Sequence, residues 1–155
     1  MRTPPPSSVN ARNTMRATRS VSRLEQRFRR DLWAEGVRGY RVTMSALPGR
    51  PDLAFPGQRL AVFVHGCFWH SCPSCDLPRP RANAAFWAEK LRSNVERDAR
   101  VRDALGDRGW QVLVVWEHEV RDDPDGAVCR LIDARNGLRA ARQGSHTSTR
   151  PRRRR

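Results

Sequence analysis

The stretch RLAVFVHGCFWHSCPSC, residues 59–75, joins an apolar segment to a cluster of metal-binding side chains. Its first part, Leu60 to Val64, is continuously apolar and rich in β-branched residues, which is typical of a strand buried on both faces. Its second part places three cysteines and two histidines within the eleven residues from His65 to Cys75. The stretch therefore predicts a central strand that leads directly into a metal-binding loop.

The cysteines of this loop have the spacing of zinc ligands. Cys67, Cys72 and Cys75 would supply three soft ligands, and a tetrahedral zinc site needs a fourth cysteine or histidine. The candidates for the fourth ligand are His118, Cys129, His65 and His70. The alternative, in which the cysteines are only small buried apolar side chains, is disfavoured by their number in so short a segment. A closed four-ligand site would be structural.

Helices and strands alternate on both sides of this stretch. The segments with helical periodicity are SVSRLEQRFRRDLWAEG (20–36), NAAFWAEKLRSNVERDARVRDALGDRG (83–109) and GAVCRLIDARNGLRAARQ (126–143). The segments that predict strands are YRVTM (40–44), a short piece around residues 52–55, and WQVLVVWEHEV (110–120). Ser22 and Glu25 fit a capping box, and Asn83 is placed to cap the second helix. This order predicts an α/β domain with a mixed central sheet flanked by helices.

The length and the charge of the chain limit its organisation and its partners. At 155 residues it is expected to form one domain, residues 14–140, between a disordered Pro/Ser-rich tail, residues 1–13, and a disordered Arg-rich tail, residues 141–155. The net charge of +14 favours a polyanionic partner. Nucleic acid is the first expectation, and an anionic membrane surface is the second.

The composition predicts a cytoplasmic protein. Mean hydropathy is −0.74, and no apolar run approaches the ~18–20 residues that would span a bilayer. The N-terminus MRTPPPSSVNARN has no apolar segment of the kind found in secretory signals. In a reducing compartment the four cysteines are expected to be metal ligands or free thiols, and not two disulfides.

Two aspartates are candidates for catalysis. Asp52 follows Pro51 at the start of a strand-like piece, where a carboxylate can hold Mg²⁺ or simply cap a turn. Asp98 lies on the apolar stripe of its helix with Leu91 and Val95, and a carboxylate there needs a partner because an unpaired buried charge is costly. That partner is either an arginine or a catalytic group, namely a histidine or a metal-bound water.

The remaining side chains of the loop allow two readings each. His70 can be the fourth zinc ligand or a base that exchanges protons with water near neutral pH. Phe68 and Trp69, with Phe86 and Trp87, can pack over the zinc loop as core, or can wedge between bases in a basic protein. The other tryptophans, Trp33, Trp110 and Trp116, fit ordinary core positions.

Four segments together resemble the very-short-patch repair endonucleases (Vsr): LPGRPDL, FVHGCFWH, FWAEKLRSNVERD and GWQVLVVWEHE. The resemblance extends from Asn13 to Val120. It implies a fold similar to type II restriction endonucleases with a structural zinc. It also implies a Mg²⁺-dependent hydrolase that nicks DNA on the 5′ side of the T in T:G mismatches, which arise by deamination of 5-methylcytosine.

Carried over by position, the resemblance gives the candidate residues their roles. Asp52 would ligate Mg²⁺ at the scissile phosphate, His70 would act as general base or acid, and Asp98 would orient His70 or a metal-bound water. Glu25 and His65 would support the site. The residues expected to intercalate beside the mismatch are Phe68, Trp69 and Trp87.

The sequence departs from the family pattern in its zinc ligands and at Val64. Some members end the last strand in WEC where this chain has WEH, which with Cys72 and Cys75 predicts a zinc site of Cys67, Cys72, Cys75 and His118. Cys129 is then expected to be a buried thiol. Val64 stands where some members have a polar residue. No E-x-K pattern follows Asp52 on the next strand, unlike the broad PD-(D/E)xK nuclease class. The Vsr resemblance accounts for this difference, since it implies that His70 does the proton work.

Two other functions account for part of the pattern. A non-catalytic zinc module that binds nucleic acid explains the cysteines and the charge, but gives no role to Asp98 or His70. A restriction-like endonuclease acting on matched DNA explains the carboxylates, but the aromatic pair argues against it because opening a stacked duplex is costly. The Vsr resemblance implies two partners, double-stranded DNA with a T:G mismatch and a MutL-like repair protein. The protein is expected to be a monomer near the nucleoid, without contact with membranes.

Overall fold

The first described helix packs against the core through one apolar face. The computed structural model describes residues 23–146, and α1 covers residues 23–34 of that range. Phe28 and Leu32, one turn apart, are fully buried. Gly36 has a φ of 73° and ends the helix, and the Val37 N–H donates to the Leu32 carbonyl at 2.9 Å. The predicted cap Ser22 lies outside the described residues.

A four-stranded mixed sheet forms the centre of the fold, as predicted. The strands are β1 (Arg41–Val42), β2 (Leu53–Phe55), β3 (Leu60–His65) and β4 (Gln111–Trp116), which lie in this order across the sheet. The first two pairings are antiparallel, and β3 pairs with β4 in parallel. A parallel pair needs a crossover, which α2 (Ala84–Asp107) supplies. The predicted buried strand is confirmed, since five of the six residues of β3 are buried.

Helices cover both faces of the sheet. On one face, Phe55 and Val62 pack with Phe28 of α1 and with Leu131 of α4 (Pro124–His146). On the other face, α2 packs through Leu105 against a small cluster that includes two strand alanines. The fully buried Leu53, Phe55 and Val62 therefore face α1 and α4, while Ala54 and Ala61 leave room for α2 to lie close to the sheet.

The last strand is shorter than predicted. β4 ends at Trp116, and residues Glu117–Asp122 form a short helix, α3. The Glu119 side chain accepts a hydrogen bond from the Trp116 backbone N–H at 2.7 Å, which stabilises the first turn of α3. His118 was predicted at the end of the strand and lies instead in this turn. Asn83 is the N-cap residue of α2, but the expected side-chain hydrogen bond is absent.

Three predictions about burial and boundaries are wrong. Trp33 is 59% exposed, because Phe28 and Leu32 occupy the inward face of α1 and the Arg38 guanidinium stacks 3.3 Å from the tryptophan ring. Cys129 is exposed, because its helical neighbours face the core instead. The helix α4 continues to His146, past the predicted start of the tail at residue 141. Residues 1–22 and 147–155 lie outside the described part. Among the described helices, none is long and apolar enough to cross a membrane.

Candidate metal centre and active site

Four soft ligands meet at one end of the sheet. The ligating atoms of Cys67, Cys72, Cys75 and His118 lie within 4.8 Å of one another. The three sulfur atoms lie 3.3, 3.6 and 3.4 Å from Nδ1 of His118. Zinc bonds of about 2.3 Å to sulfur and about 2.0 Å to nitrogen, in tetrahedral geometry, separate the two atoms by about 3.5 Å. The donor set and its spacing therefore suit a zinc ion.

The sheet register brings this cluster together. His65 and Trp116 are paired at the ends of the parallel strands β3 and β4, so the cysteine loop and α3 begin at the same edge. The Cys67 backbone N–H donates to the Glu117 carboxylate at 3.1 Å, which ties the loop to α3. Burial raises the pKa of the Cys67 thiol to about 12. A metal ion binds the thiolate, so a cation bound here would favour the ionised form of this group.

A second cluster lies on the other side of the same loop. Nδ1–H of His70 donates to the Asp98 carboxylate at 2.5 Å, and both side chains are less than one fifth exposed. The His65 ring stacks on His70 with a centroid separation of 3.8 Å and an interplanar angle of 12°. The structure thus brings together three of the residues predicted for catalysis. Their nitrogen and oxygen atoms are also close enough to hold a metal ion.

The electrostatics of His65 keep its ring neutral at pH 7. The pKa of His65 is lowered to about 4, chiefly by burial, and the neighbouring His70 contributes to this decrease. A neutral ring can lie face to face with His70 without the repulsion that two imidazolium ions would have. The stacking therefore fixes the plane of the His70 ring, while Asp98 fixes its rotation.

Asp52 lies next to this pair and is held by the central strand. Its Oδ2 accepts a hydrogen bond from the Val64 backbone N–H at 2.7 Å. The pKa of Asp52 is raised to about 6, chiefly by burial. The hydrogen bond from Val64 opposes this increase in pKa, and the Glu25 carboxylate contributes to it. Glu25 itself accepts from Arg29 at 2.6 Å. A half-buried carboxylate oxygen is a hard ligand of the type that Mg²⁺ prefers.

Asp52 and the second cluster together line one cavity of about 470 Å³. Its walls include Asp52, Val64, His65, His70 and Asp98. A wider groove of about 1310 Å³ lies between α1 and β1, lined by arginines and by apolar and aromatic side chains. It contains no histidine, cysteine or carboxylate, so among the described residues the smaller cavity is the one equipped for acid–base chemistry.

The aromatic side chains form a continuous cluster beside the catalytic candidates. Trp69 lies 5.3 Å from Phe68 and 5.8 Å from Trp87 between ring centroids. Phe68 and Trp87 are 5.9 Å apart, so the three rings contact each other in a triangle. All three remain partly exposed. The structure therefore places the three predicted intercalating residues together, with two of them on the loop that carries His70.

Two polar residues that hold the loop were missed in the sequence. Nδ2 of Asn94 donates to the Trp69 carbonyl at 2.9 Å, and Glu117 accepts from Cys67 as described above. Asn94 could have been found from its spacing, because it precedes Asp98 by one helical turn on the face of α2 that meets the loop. Glu117 has no such signal, since it was assigned to a strand.

Comparisons with known proteins point to one family. Residues 8–76 match the family described as DNA mismatch endonuclease Vsr. Type II nicking enzyme V.NaeI of Lentzea aerocolonigenes is 40% identical over 141 residues, which cover 86% of this chain and 82% of that protein. Type II nicking enzyme V.XorIIP of Xanthomonas oryzae pv. oryzae is 42% identical over 114 residues, which cover 72% of this chain and 82% of that protein. DNA mismatch endonuclease Vsr of Escherichia coli is 41% identical over 105 residues, which cover 68% of this chain and 66% of that protein. The resemblance is confirmed: the chain belongs to the Vsr family of DNA mismatch endonucleases and is a DNA endonuclease, which makes it a hydrolase.

Proposed function

We propose that this endonuclease uses Mg²⁺ to nick one strand of DNA on the 5′ side of the T in a T:G mismatch, which starts very-short-patch repair. The observation that carries the proposal is the adjacency of Trp69 and His70 on one loop. An aromatic cluster that can open a base stack is thus joined to a histidine–aspartate pair that can activate water. The names of the nicking relatives support a cut in a single strand.

The His70–Asp98 pair is built for proton transfer. Because Nδ1–H of His70 is bound by Asp98, Nε2 is the nitrogen left to accept a proton from the attacking water. Asp98 also stabilises the imidazolium that forms, as a buried aspartate does in other histidine-dependent hydrolases. The neutral, stacked His65 ring limits tilting of His70. His65 and Asp98 therefore act as positioning residues.

Asp52 is the proposed Mg²⁺ ligand at the scissile phosphate. A bound Mg²⁺ would polarise the phosphate and lower the pKa of its water. The carboxylate has one oxygen bound by the Val64 backbone N–H, which orients it, and the Val64 side chain takes no part in that bond. We infer that valine at this position is compatible with metal binding. Glu25 adds negative charge near Asp52, and both favour a cation.

The aromatic cluster is proposed to select the mismatch. Phe68, Trp69 and Trp87 would insert beside the mismatched pair, and a T:G pair costs less to open than a matched pair because it is less well stacked. The loop must be held rigidly, because aromatic side chains that can move away from the duplex would not unstack its bases. We call these three side chains the aromatic wedge. Cys67, Cys72, Cys75 and His118 would supply that rigidity by holding a structural zinc, with all four tetrahedral positions filled by protein.

Several broader properties follow from the family and the charge. We propose a restriction-endonuclease-like fold, which the mixed sheet with helices on both faces supports. The net charge of +14 suits a protein that binds double-stranded DNA as a monomer in the nucleoid region of the cytoplasm. Contact with a MutL-like repair protein is proposed from the family resemblance.

The test uses end-labelled duplexes that differ only in a T:G pair in place of C:G, placed in several sequence contexts. The zinc-loaded protein is incubated with each duplex, with and without Mg²⁺, so that the control removes magnesium without chelating zinc. The expected result is one Mg²⁺-dependent nick immediately 5′ of the mismatched T. Equal cutting of both duplexes would favour the restriction-like alternative. Tight binding to both without cutting would favour the non-catalytic zinc module.

A further inference from the structure

Three arginines line the candidate reaction cavity, and the mechanism above gives them no role. Arg50, Arg97 and Arg102 border the same cavity as Asp52 and Asp98. The single lysine of the chain, Lys90, is exposed on α2 and does not line the cavity. The cavity therefore has positive side chains, and all of them are guanidinium groups.

A close backbone approach brings these arginines together. Gly49 has a φ of 72°, and a Cβ atom added there would lie 2.4 Å from Cγ1 of Val101 in α2. Only glycine allows the loop to lie this close to the helix. Arg50 follows with a φ of 51°, a left-handed conformation that a side chain rarely adopts and that turns the chain beside α2. The loop therefore places Arg50 beside α2, the helix that carries Arg97 and Arg102.

The two helix arginines lie on the side of α2 that faces the cavity. Arg97 and Arg102 both border it. One guanidinium nitrogen of Arg97 lies 3.5 Å from Oδ1 of Asp98, the carboxylate that binds His70. Arg102 follows Asp98 by one helical turn and so lies on the same face of α2. Both arginines are exposed on their outer side and can reach a bound polyanion.

We propose that Arg50, Arg97 and Arg102 form a phosphate clamp that binds the scissile phosphate and its neighbours in the strand that is cut. Guanidinium groups bind phosphate oxygens in a bidentate manner. Phosphodiester hydrolysis gathers negative charge on the non-bridging oxygens, and preorganised cations at that position stabilise the transition state. The clamp would supply the positive charge that an E-x-K lysine supplies in other nucleases, and that this chain lacks. This inference rests on the proposed nuclease site.

The clamp is tested with Arg102→Gln and Arg50→Gln against Arg100→Gln as the matched control. Arg100 is also an exposed arginine of α2, but it does not line the cavity, so its loss changes the net charge equally. Single-turnover nicking of the T:G duplex should fall about 100-fold for each clamp variant, as for loss of one transition-state donor, and less than about twofold for Arg100→Gln. Arg102→Lys should recover only part of the rate, because an ammonium lacks the bidentate fork.

The salt dependence of duplex binding is a second test of the phosphate clamp, and it does not require cleavage. Each phosphate contact contributes about 0.9 to the slope of log K against log salt, so Arg102→Gln should lower the slope by about that amount relative to Arg100→Gln. If the wild-type protein nicks and the clamp variants match the control in rate and slope, the clamp is wrong. If the wild-type protein fails to nick but the slope still falls for Arg102→Gln and Arg50→Gln, the proposed function fails and the phosphate clamp stands.

Discussion

Two clusters at the edge of the sheet share one loop but differ in how completely their polar groups are satisfied by the protein. In the proposed zinc-binding cluster (Cys67, Cys72, Cys75 and His118), the protein itself supplies four groups that could hold one ion, all within 4.8 Å of one another. In the reaction cavity, a carboxyl group with a raised pKa lies beside two stacked histidines and an open wall. Buried polar groups without full partners are costly, and they are kept where chemistry needs them. We therefore expect the first cluster, once it holds zinc, to fix the loop that carries His70 of the second.

The largest effect is expected from breaking the zinc-binding cluster. Cys72→Ser removes one ligand, so we expect loss of zinc, loss of the loop conformation and at least a 1000-fold loss of nicking, since structural zinc supplies folding free energy directly. Metal content by mass spectrometry, thermal unfolding and nicking would be measured together. Cys129→Ser is the matched control, because Cys129 is exposed and lies outside the four-ligand group. A zinc-free Cys72→Ser protein that nicks normally would contradict the dependence of the cavity on the metal.

The second effect should be confined to the reaction cavity. Asp98→Asn keeps the shape of the side chain but removes the charge that orients and stabilises His70, so nicking should fall about 100- to 10,000-fold. Zinc content and binding to the T:G duplex should stay unchanged. Asp103→Asn, an exposed position on the same helix, is the control. Equal loss of binding and nicking would mean that Asp98 maintains the fold of the loop and does not act through His70.

The third effect is on mismatch preference and comes from the aromatic wedge (Phe68, Trp69 and Trp87). Asn94→Ala removes the hydrogen bond to the Trp69 carbonyl and should let the wedge move, so the preference for T:G over C:G in binding should fall about tenfold. The ratio of dissociation constants for the two duplexes measures this directly. Ser93→Ala is the control, because Ser93 is exposed. If affinity for both duplexes falls equally and the ratio stays constant, Asn94 does not position the wedge.

The sequence predicts the cysteine cluster better than the His70–Asp98 pair, because the cysteines are close together in the chain. The cysteine spacing and the apolar run of β3 are local, so the central strand and the loop were predicted from adjacent residues. Asp98 was also found, because a carboxylate on an apolar stripe requires a partner. His70 as that partner became clear only from the family resemblance, since the two residues are 28 positions apart in the chain.

Features that depend on tertiary contacts were missed. The strand predicted over residues 110–120 ended early because Glu119 bonds back to the Trp116 backbone, a local competition that apolar patterning does not report. Trp33 was predicted to be buried because it is large and apolar, yet it is one position off the inward face of its helix. The three arginines of the cavity were hidden among the other arginines of the chain, and only the close approach of Gly49 to α2 distinguishes Arg50 from them.

The smallest predicted effect is on the free energy of unfolding. It measures how much the half-buried Asp52 carboxylate destabilises the protein when no DNA is bound. Asp52 ionises near pH 3.8 when unfolded and at about 6 when folded. The stability that comes from its protonated form is therefore fully present below pH 3.8 and is lost as the pH rises through 6. A shift of about two units corresponds to about 3 kcal/mol. Asparagine loses the charge-assisted hydrogen bond from Val64, so we expect Asp52→Asn to gain only about 1 kcal/mol at pH 8 and nothing near pH 4.

The measurement is thermal unfolding of the zinc-loaded protein at both pH values without added Mg²⁺. Adding Mg²⁺ at pH 8 should then raise the melting temperature of the wild-type protein and not that of Asp52→Asn, because only the carboxylate binds the ion. Asp103→Asn should show neither effect, since that side chain is exposed. A variant that is less stable than the wild type at pH 8 would mean that Asp52 serves the fold through Val64, and the cavity would then resemble the zinc-binding cluster in being built for stability.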